Sequence, residues 1–299
     1  MAGEALTSLS DALASAVETA GPSIVRVEGR RRLPATGIVW SADGLIVTAH
    51  HVVEQDENIG IGLADGRTVT ASLVGRDPTT DLALLRAPAD GLGVPAWVNG
   101  EALHVGHLAL ALGRPGQSVM ATLGIISALK KDWRTPAGGQ LDYYLQTDAL
   151  MYPGFSGGPL VSAAGKFLGL NTSAMLRDVT LTIPAATIRR VADALLHHGR
   201  VKRGYLGVSA QTVRLPKPIA DQAGQETGLL LGSVEAGGPA ERGGLFMGDT
   251  LLALDGQRTA HLDDLLAALT GDRVGKTGPI RVLRGGQVTE ANVVVGEQS

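Results

Sequence analysis

Short apolar runs separated by glycine recur along most of this chain and limit what it can fold into. The first set begins after residue 22 and comprises SIVRVEG, TGIVW, GLIVTAHHVV, ENIGIGLADG, TVTASLVG and DLALLRAP. A second set of short apolar runs, with the same spacing of turn residues, extends from HLALALG to VTLTIP. Many short strands with turn residues between them are typical of barrels and sandwiches. The sequence therefore predicts a mostly β protein.

Two helices accompany these strands. Apolar residues recur at helical spacing in two places: Leu6, Leu9, Leu13 and Val17, and later Ile188, Val191, Ala192, Leu195 and Leu196. We predict helices over 6–19 and 185–198, each followed by a glycine that ends it.

Three parts are expected: a helical segment over 1–22, a β-rich domain over 23–200 and a smaller domain over 204–297. A length of 299 residues suits two domains that each bury a core. The segment HGRVKRG is the linker between them. The last domain alternates strands with a helix in HLDDLLAALT.

Composition excludes several function classes. The absence of cysteine removes disulfides and thiolate nucleophiles. A net charge of -3 and only short basic clusters, Arg30-Arg31-Arg32 and Lys130-Lys131, indicate solvated surface charge and no nucleic-acid partner. No apolar stretch approaches the ~20 residues of a transmembrane helix.

The N-terminal residues indicate in which cellular compartment the protein is expected. They lack the basic start and continuous apolar core of a signal peptide. As written, the chain is expected to be soluble and cytoplasmic. If an export signal has been removed ahead of it, the expected location is the periplasm or cell envelope.

Three polar positions beside apolar strands carry the functional prediction. The pair His50-His51 follows the run LIVTA, Asp81 precedes LALL, and Ser156 lies in PGFSGGP. Each alone is typical of an ordinary turn or core residue. Together, in this order, they supply a general base, an orienting carboxylate and a nucleophile.

Glycines around Ser156 suit the same chemistry. They let the backbone turn tightly, so that two N–H groups converge on one oxygen as an oxyanion hole requires. We assign this hole to the backbone N–H groups of Gly154 and Phe155, or of Gly154 and Ser156.

These segments resemble a known family. TAHHVV, DPTTDLALL and QTDALMYPGFSGGPL are similar to the motifs around the His, Asp and Ser of HtrA/Deg-like serine proteases. In that family the base directly precedes V-V, which selects His51, and the carboxylate precedes L-A-L, which selects Asp81. The segment VKRGYLGV is similar to the family's entry into a PDZ domain.

The resemblance implies a trypsin-like pair of six-stranded β-barrels followed by one α+β PDZ domain. It implies ATP-independent cleavage of unfolded or misfolded polypeptides, in homotrimers or their multiples, without cofactor or metal. In the PDZ domain, Tyr205, Leu206, Gly207 and Val208 would receive a peptide's C-terminal carboxylate while the peptide adds a strand.

Departures from the family pattern leave alternatives open. Phe155 replaces the usual asparagine, and its ring could hold the turn differently or shape the leaving-group side. The segment 171–184, which includes Arg177 and Asp178, is shorter than its counterpart in the family.

The alternative function is a pseudo-protease acting as a chaperone or peptide-binding scaffold. A third possibility, a metal site of His50, His51, His104 and His107, is disfavoured because i,i+3 spacing in a strand does not place side chains on one face.

Overall fold

The chain folds into two compact units, residues 1–201 and 202–299, in a computed structural model. The structure describes residues 2–31, 33–98, 103–177 and 179–297, so Arg32 and Asp178 lie outside the described residues. Strands dominate both units. Among the described residues, no helix is both long and apolar enough to cross a membrane.

The first half of unit 1 is a closed antiparallel barrel with strand order β1-β2-β3-β6-β5-β4. Its strands are β1 (Ile24–Glu28), β2 (Ala35–Val39), β3 (Leu45–Ala49), β4 (Ile59–Gly62), β5 (Thr68–Asp77) and β6 (Leu82–Arg86). Strands β2 and β3 are buried along their whole length.

A second closed barrel follows, with strand order β10-β11-β12-β9-β8-β7. Its strands are β7 (Leu108–Gly113), β8 (Met120–Arg134), β9 (Gln140–Thr147), β10 (Pro159–Ser162), β11 (Phe167–Thr172) and β12 (Leu181–Pro184). The predicted pair of six-stranded barrels is therefore confirmed. Strand β8 is long, and with β9 it forms a hairpin.

Two helices flank the barrels. Helix α1 (Ala2–Ala20) begins four residues before the predicted start, because Ala2-Gly3-Glu4-Ala5 continues the helix without contributing to its apolar stripe. Ala16 and Ala20 near its end are buried, whereas Leu6 is 69% exposed. Helix α2 (Ala185–His198) matches the prediction and ends where Gly199 adopts a left-handed φ of 68°.

The C-terminal unit contains a sheet of order β14-β15-β16-β18-β19, with β17 paired to β16, and a separate pair β13–β20. Its strands are β13 (Gly204–Tyr205), β14 (Val208–Arg214), β15 (Thr227–Val234), β16 (Thr250–Leu254), β17 (Gln257–Arg258), β18 (Thr277–Arg284), β19 (Gln287–Val294) and β20 (Gly296–Glu297). Its helices are α3 (Lys217–Ala223), α4 (Pro239–Arg242) and α5 (Leu262–Ala268). Strand β14 lies at an edge of this sheet.

Candidate active site

His51 and Asp81 are in direct contact. The Nδ1 of His51 lies 2.8 Å from Oδ2 of Asp81, and the backbone N–H of His51 donates to Oδ1 at 2.9 Å. The carboxylate is almost fully buried, whereas the imidazole is partly exposed. A carboxylate in this position holds the ring orientation and leaves Nε2 free to accept a proton.

The first barrel produces this contact through its strand register. Strand β3 ends at Ala49, which pairs with Leu82 at the start of β6. The histidine after one strand and the aspartate before the other are thereby brought to the same end of the barrel. Asp81 adopts a left-handed φ of 54°, a strained conformation of the kind that clusters at functional sites.

The second barrel also contacts Asp81. Thr172, at the end of β11, donates its hydroxyl to Oδ2 of Asp81 at 2.5 Å. The same carboxylate oxygen therefore receives bonds from His51 and Thr172. The adjacent residue, Ser173, has its hydroxyl 3.1 Å from Oγ of Ser156. Two consecutive residues thus link Asp81 to Ser156 and place them in one site.

Ser156 lies in the turn between β9 and β10. In the part of the chain that the structure describes, its hydroxyl is hydrogen-bonded to Ser173 and not to His51. For its hydroxyl to hydrogen-bond to His51, the Ser156 side chain would have to rotate away from Ser173.

The two candidate pairs of oxyanion-hole donors differ in their backbone hydrogen bonds. The backbone N–H of Phe155 donates to the carbonyl of Tyr152 at 3.0 Å, so in this conformation it is not available to a substrate oxygen. The backbone N–H groups of Gly154 and Ser156 donate to no acceptor among the described residues. Gly154 has a φ of 92°, which glycine adopts without steric cost. The pair Gly154 and Ser156 is the one the geometry favours.

The ring of Phe155 is buried in the core of the second barrel, with 0% exposure. It stacks edge to face with Tyr152 at 5.8 Å between centroids. A Cβ added to Gly113 would lie 2.6 Å from this ring, which shows how closely β7 approaches it. The ring therefore anchors the turn and does not project toward the leaving-group side.

His50, His104 and His107 lie in two separate places in unit 1. The buried Nδ1 of His50 has no partner among the described residues, and burial lowers the pKa of His50 against the opposing effect of the Asp81 carboxylate. His104 and His107 contact each other in a turn before β7, with 5.2 Å between ring centroids. Within the described ranges, no group of three or more potential ligand side chains could hold a metal ion.

The segment after β11 carries the predicted loop charges. Residues 173–180 connect β11 to β12. Arg177 is exposed to solvent there.

The predicted carboxylate-binding loop opens the C-terminal unit. Tyr205 pairs with Gly296 in the small sheet, the side chain of Leu206 is buried, and Gly207 has a left-handed φ of 75°. The N–H groups of Leu206 and Gly207 donate to no described acceptor. The hydroxyl of Tyr205 donates to Oε2 of Glu235 at 2.6 Å, which raises the pKa of Tyr205.

A peptide groove beside this loop would lie between β14 and α5. Among the described residues no strand pairs with the outer edge of β14, so its backbone groups are available to an added strand. Of the α5 leucines, Leu265 is buried in the core and Leu262 is 46% exposed.

Comparison with known families agrees with this geometry. A family model described as a trypsin-like peptidase domain matches residues 35–170, and one described as a PDZ domain matches residues 204–295. A probable periplasmic serine endoprotease DegP-like of Chlamydia trachomatis serovar D is 34% identical over 276 residues, covering 90% of this chain and 55% of that protein. One from Halomonas elongata is 38% identical over 277 residues, covering 89% and 57%. The chain spans little more than half the length of these curated relatives.

Solved structures are also similar. The serine endoprotease from Yersinia pestis matches with a TM-score of 0.80 and 31% identity, over 96% of this chain and 98% of that one. An HtrA-type protease, AlgW, with a decapeptide matches with a TM-score of 0.80 and 29% identity, over 96% and 99%. With its paired barrels, its PDZ fold and these relatives, the chain belongs to the HtrA/DegP-like serine protease family.

Proposed function

We propose that this chain is an ATP-independent serine endopeptidase that cleaves unfolded or misfolded polypeptides. The contact between His51 and Asp81, beside a glycine-rich turn that carries Ser156, is the observation on which the proposal rests. The names of its relatives, serine endoproteases, point to the same reaction.

Ser156 would attack the carbonyl carbon of the scissile peptide bond. As its side chain turns from Ser173 to His51, Nε2 accepts the hydroxyl proton and later gives it to the leaving amine. Asp81 holds Nδ1 of the ring and stabilises the imidazolium that forms. His51 then accepts a proton from a water molecule as the water oxygen attacks the acyl carbon. The bond to Ser156 breaks, His51 returns the proton to the Ser156 oxygen, and the acyl group leaves as a carboxylic acid.

The tetrahedral intermediate carries a negative oxygen that the turn would stabilise. The free N–H groups of Gly154 and Ser156 are the proposed donors. Donors fixed before the reaction lower the barrier because they need no reorganisation when the charge appears.

The C-terminal unit would bind peptide C-termini for substrate capture or activation. The free N–H groups of Leu206 and Gly207 suit a terminal carboxylate, and the edge of β14 suits an added strand. The structural relative AlgW, an HtrA-type protease, is in complex with a decapeptide, which agrees with peptide binding in this family.

We further propose a homotrimer, or a multiple of it, in the periplasm or cell envelope. The exposed leucines Leu6 and Leu9 of α1 offer an apolar stripe that a subunit contact would cover. The curated relatives are named as periplasmic. Sedimentation equilibrium gives the subunit number directly, and a monomeric mass at all concentrations would contradict this assembly.

Hydrolysis of fluorescently labelled, chemically unfolded casein without ATP tests the activity. Wild-type protein should cleave it, and Ser156→Ala should reduce the rate by about 10⁴-fold or more. The matched control is Ser162→Ala, which removes a hydroxyl in β10 that accepts only two long bonds from backbone N–H groups. This control should retain the wild-type rate.

Folded wild-type protein that cleaves nothing would favour the non-catalytic scaffold instead. Equal cleavage by Ser156→Ala would show that a contaminant is responsible.

A further inference from the structure

Residues 153–158, which carry Ser156, are here called the nucleophile turn. Thr36 in strand β2 hydrogen-bonds to two residues of this turn, Gly154 and Ser156. Its hydroxyl donates to the carbonyl of Gly154 at 2.7 Å and accepts the backbone N–H of Arg114 at 2.9 Å. Its backbone N–H donates to the carbonyl of Ser156 at 3.2 Å. Its own carbonyl accepts the hydroxyl of Thr48 at 2.7 Å. The residue is 0% exposed, so every one of its polar atoms is used inside the protein.

The bond to Gly154 sets the direction of one peptide plane. A peptide unit is planar, so its N–H points opposite to its carbonyl. With the Gly154 carbonyl held by Thr36, the N–H of Phe155 points away, toward the carbonyl of Tyr152. This plane therefore cannot turn without breaking two bonds.

The bond to Ser156 sets the peptide plane after the nucleophile. The Ser156 carbonyl accepts from Thr36, and the N–H on the other side of that plane, from Gly157, donates to Asn171 at 2.9 Å. The Phe155–Ser156 peptide plane lies between the two planes that Thr36 holds. Its carbonyl, from Phe155, accepts the N–H of Gly158 at 2.9 Å. The N–H of Ser156 is thereby left pointing outward without an acceptor among the described residues.

Close packing leaves the turn little room to adopt another conformation. A Cβ added to Gly157 would lie 2.0 Å from the carbonyl oxygen of Thr36 and 2.4 Å from the hydroxyl of Thr48. On the opposite side, the ring of Phe155 is buried in the second barrel. The turn is therefore held between Thr36 of the first barrel and the core of the second.

We propose that Thr36 is a positioning residue: its hydroxyl fixes the Gly154–Phe155 peptide plane and its backbone N–H fixes the Ser156–Gly157 plane, so that the N–H of Ser156 between them is aimed at the substrate oxyanion. This inference rests on the proposed protease function and assigns to a first-barrel residue a part in oxyanion stabilisation. Thr36 is buried, and none of its hydrogen bonds among the described residues reaches the Ser156 hydroxyl.

The test compares Thr36→Val, which keeps the shape and loses the hydroxyl, with Thr36→Ser, which keeps the hydroxyl. Thr36→Val should lower kcat by about 10–100-fold with little change in KM, since one oxyanion-hole donor is worth about 10²–10³-fold. Thr36→Ser should stay within about threefold of wild type. Affinity for a peptidyl boronic acid, which forms a tetrahedral adduct on the serine, should fall in parallel with kcat/KM.

Thr187→Val is the matched control for loss of a buried hydroxyl. Thr187 is also 0% exposed, and its hydroxyl bonds to the backbone and carboxylate of Asp142, away from the nucleophile turn. It should lower the melting temperature while kcat and boronate affinity of the folded protein stay unchanged. If Thr36→Val does not fold, Thr36→Ala makes the same comparison without placing a methyl group against the Gly154 carbonyl.

A folded Thr36→Val protein with wild-type kcat and boronate affinity would overturn the positioning role. Loss of activity in Thr36→Ser equal to that in Thr36→Val would also overturn it, because the hydroxyl would then not be responsible. Failure of the protease proposal looks different, since wild-type protein itself would neither cleave casein nor bind the boronate.

Discussion

Two glycine-containing loops in this molecule are proposed to offer backbone N–H groups to an oxygen anion, and they are held in different ways. The nucleophile turn lies between two barrels, with Thr36 on one side and Phe155 on the other. The carboxylate-binding loop around Gly207 has the exposed carboxylate of Glu235 beside it. Fixed donors suit a short-lived oxyanion because they need no reorganisation when the charge appears, whereas the carboxylate beside the second loop would repel a bound carboxylate.

The largest effect should come from the pair His51 and Asp81, which is proposed to serve the nucleophile turn and not the carboxylate-binding loop. Asp81→Asn should lower kcat by about 10⁴-fold, because the amide no longer holds the imidazole in the productive tautomer. The affinity of the C-terminal unit for a peptide should not change. Steady-state kinetics and fluorescence anisotropy on the same preparation measure both, and coupled losses would contradict the separation of the two sites.

Glycine-to-alanine changes compare the packing of the two loops directly. Gly157→Ala places a Cβ 2.0 Å from a backbone carbonyl at a φ of 87°, and should destabilise unit 1 by about 3 kcal/mol or more. Gly207→Ala places a Cβ 2.9 Å from Oε2 and 3.2 Å from Cβ of Glu235, with no backbone atom among its nearest neighbours, and should cost the C-terminal unit about 1–2 kcal/mol. Denaturant unfolding followed by separate probes in each unit gives both values. Equal losses would show that the two loops are equally constrained.

Charge beside the carboxylate-binding loop should weaken peptide binding. Glu235→Gln should tighten the binding of a peptide with a free C-terminus by about fivefold at low salt, and by less as salt screens the charge. The same peptide with an amidated C-terminus is the control and should not respond to the substitution. Isothermal titration calorimetry measures the difference, and an equal gain for both peptides would rule out carboxylate repulsion.

The smallest expected effect concerns the resting state of the nucleophile. Ser173→Ala removes the hydroxyl that pairs with Ser156, a bond worth about 1 kcal/mol. The nucleophile should then turn more readily to His51, and the rate of labelling by a fluorophosphonate should rise about two- to threefold. A slower reaction would mean that Ser173 assists the nucleophile instead of restraining it.

Much of the architecture could be predicted from the sequence, because glycine-punctuated strands and helical spacing are local signals. The high strand content and the bounds of α2 are examples, whereas the pair of six-stranded barrels follows from the resemblance of the motifs to HtrA/Deg-like proteases. The predicted start of α1 is too late, since its first turn lacks the apolar residues from which periodicity is recognised. The assignments of His51, Asp81 and Ser156 depend on motifs, and their catalytic roles remain predictions.

Residues that support the site could not be predicted from the sequence. Thr36 and Gly154 are 118 positions apart, and Thr172 and Asp81 are 91 apart, so only the packing of the barrels brings them together. The hydrogen bond from the Phe155 N–H to the Tyr152 carbonyl likewise depends on the turn conformation and not on the residue type. A polar residue inside an apolar strand, such as Thr36 in ATGIV, is the one signal that could have pointed to it.

Reaction with a fluorophosphonate, followed by mass spectrometry of the labelled peptide, tests the central claim most directly. An activated nucleophile on a fixed turn predicts one adduct, on Ser156, that disappears in Ser156→Ala and forms far more slowly in Asp81→Asn. Folded protein that takes up no label, or takes it up at another residue, would contradict the assignment of Ser156 as the nucleophile.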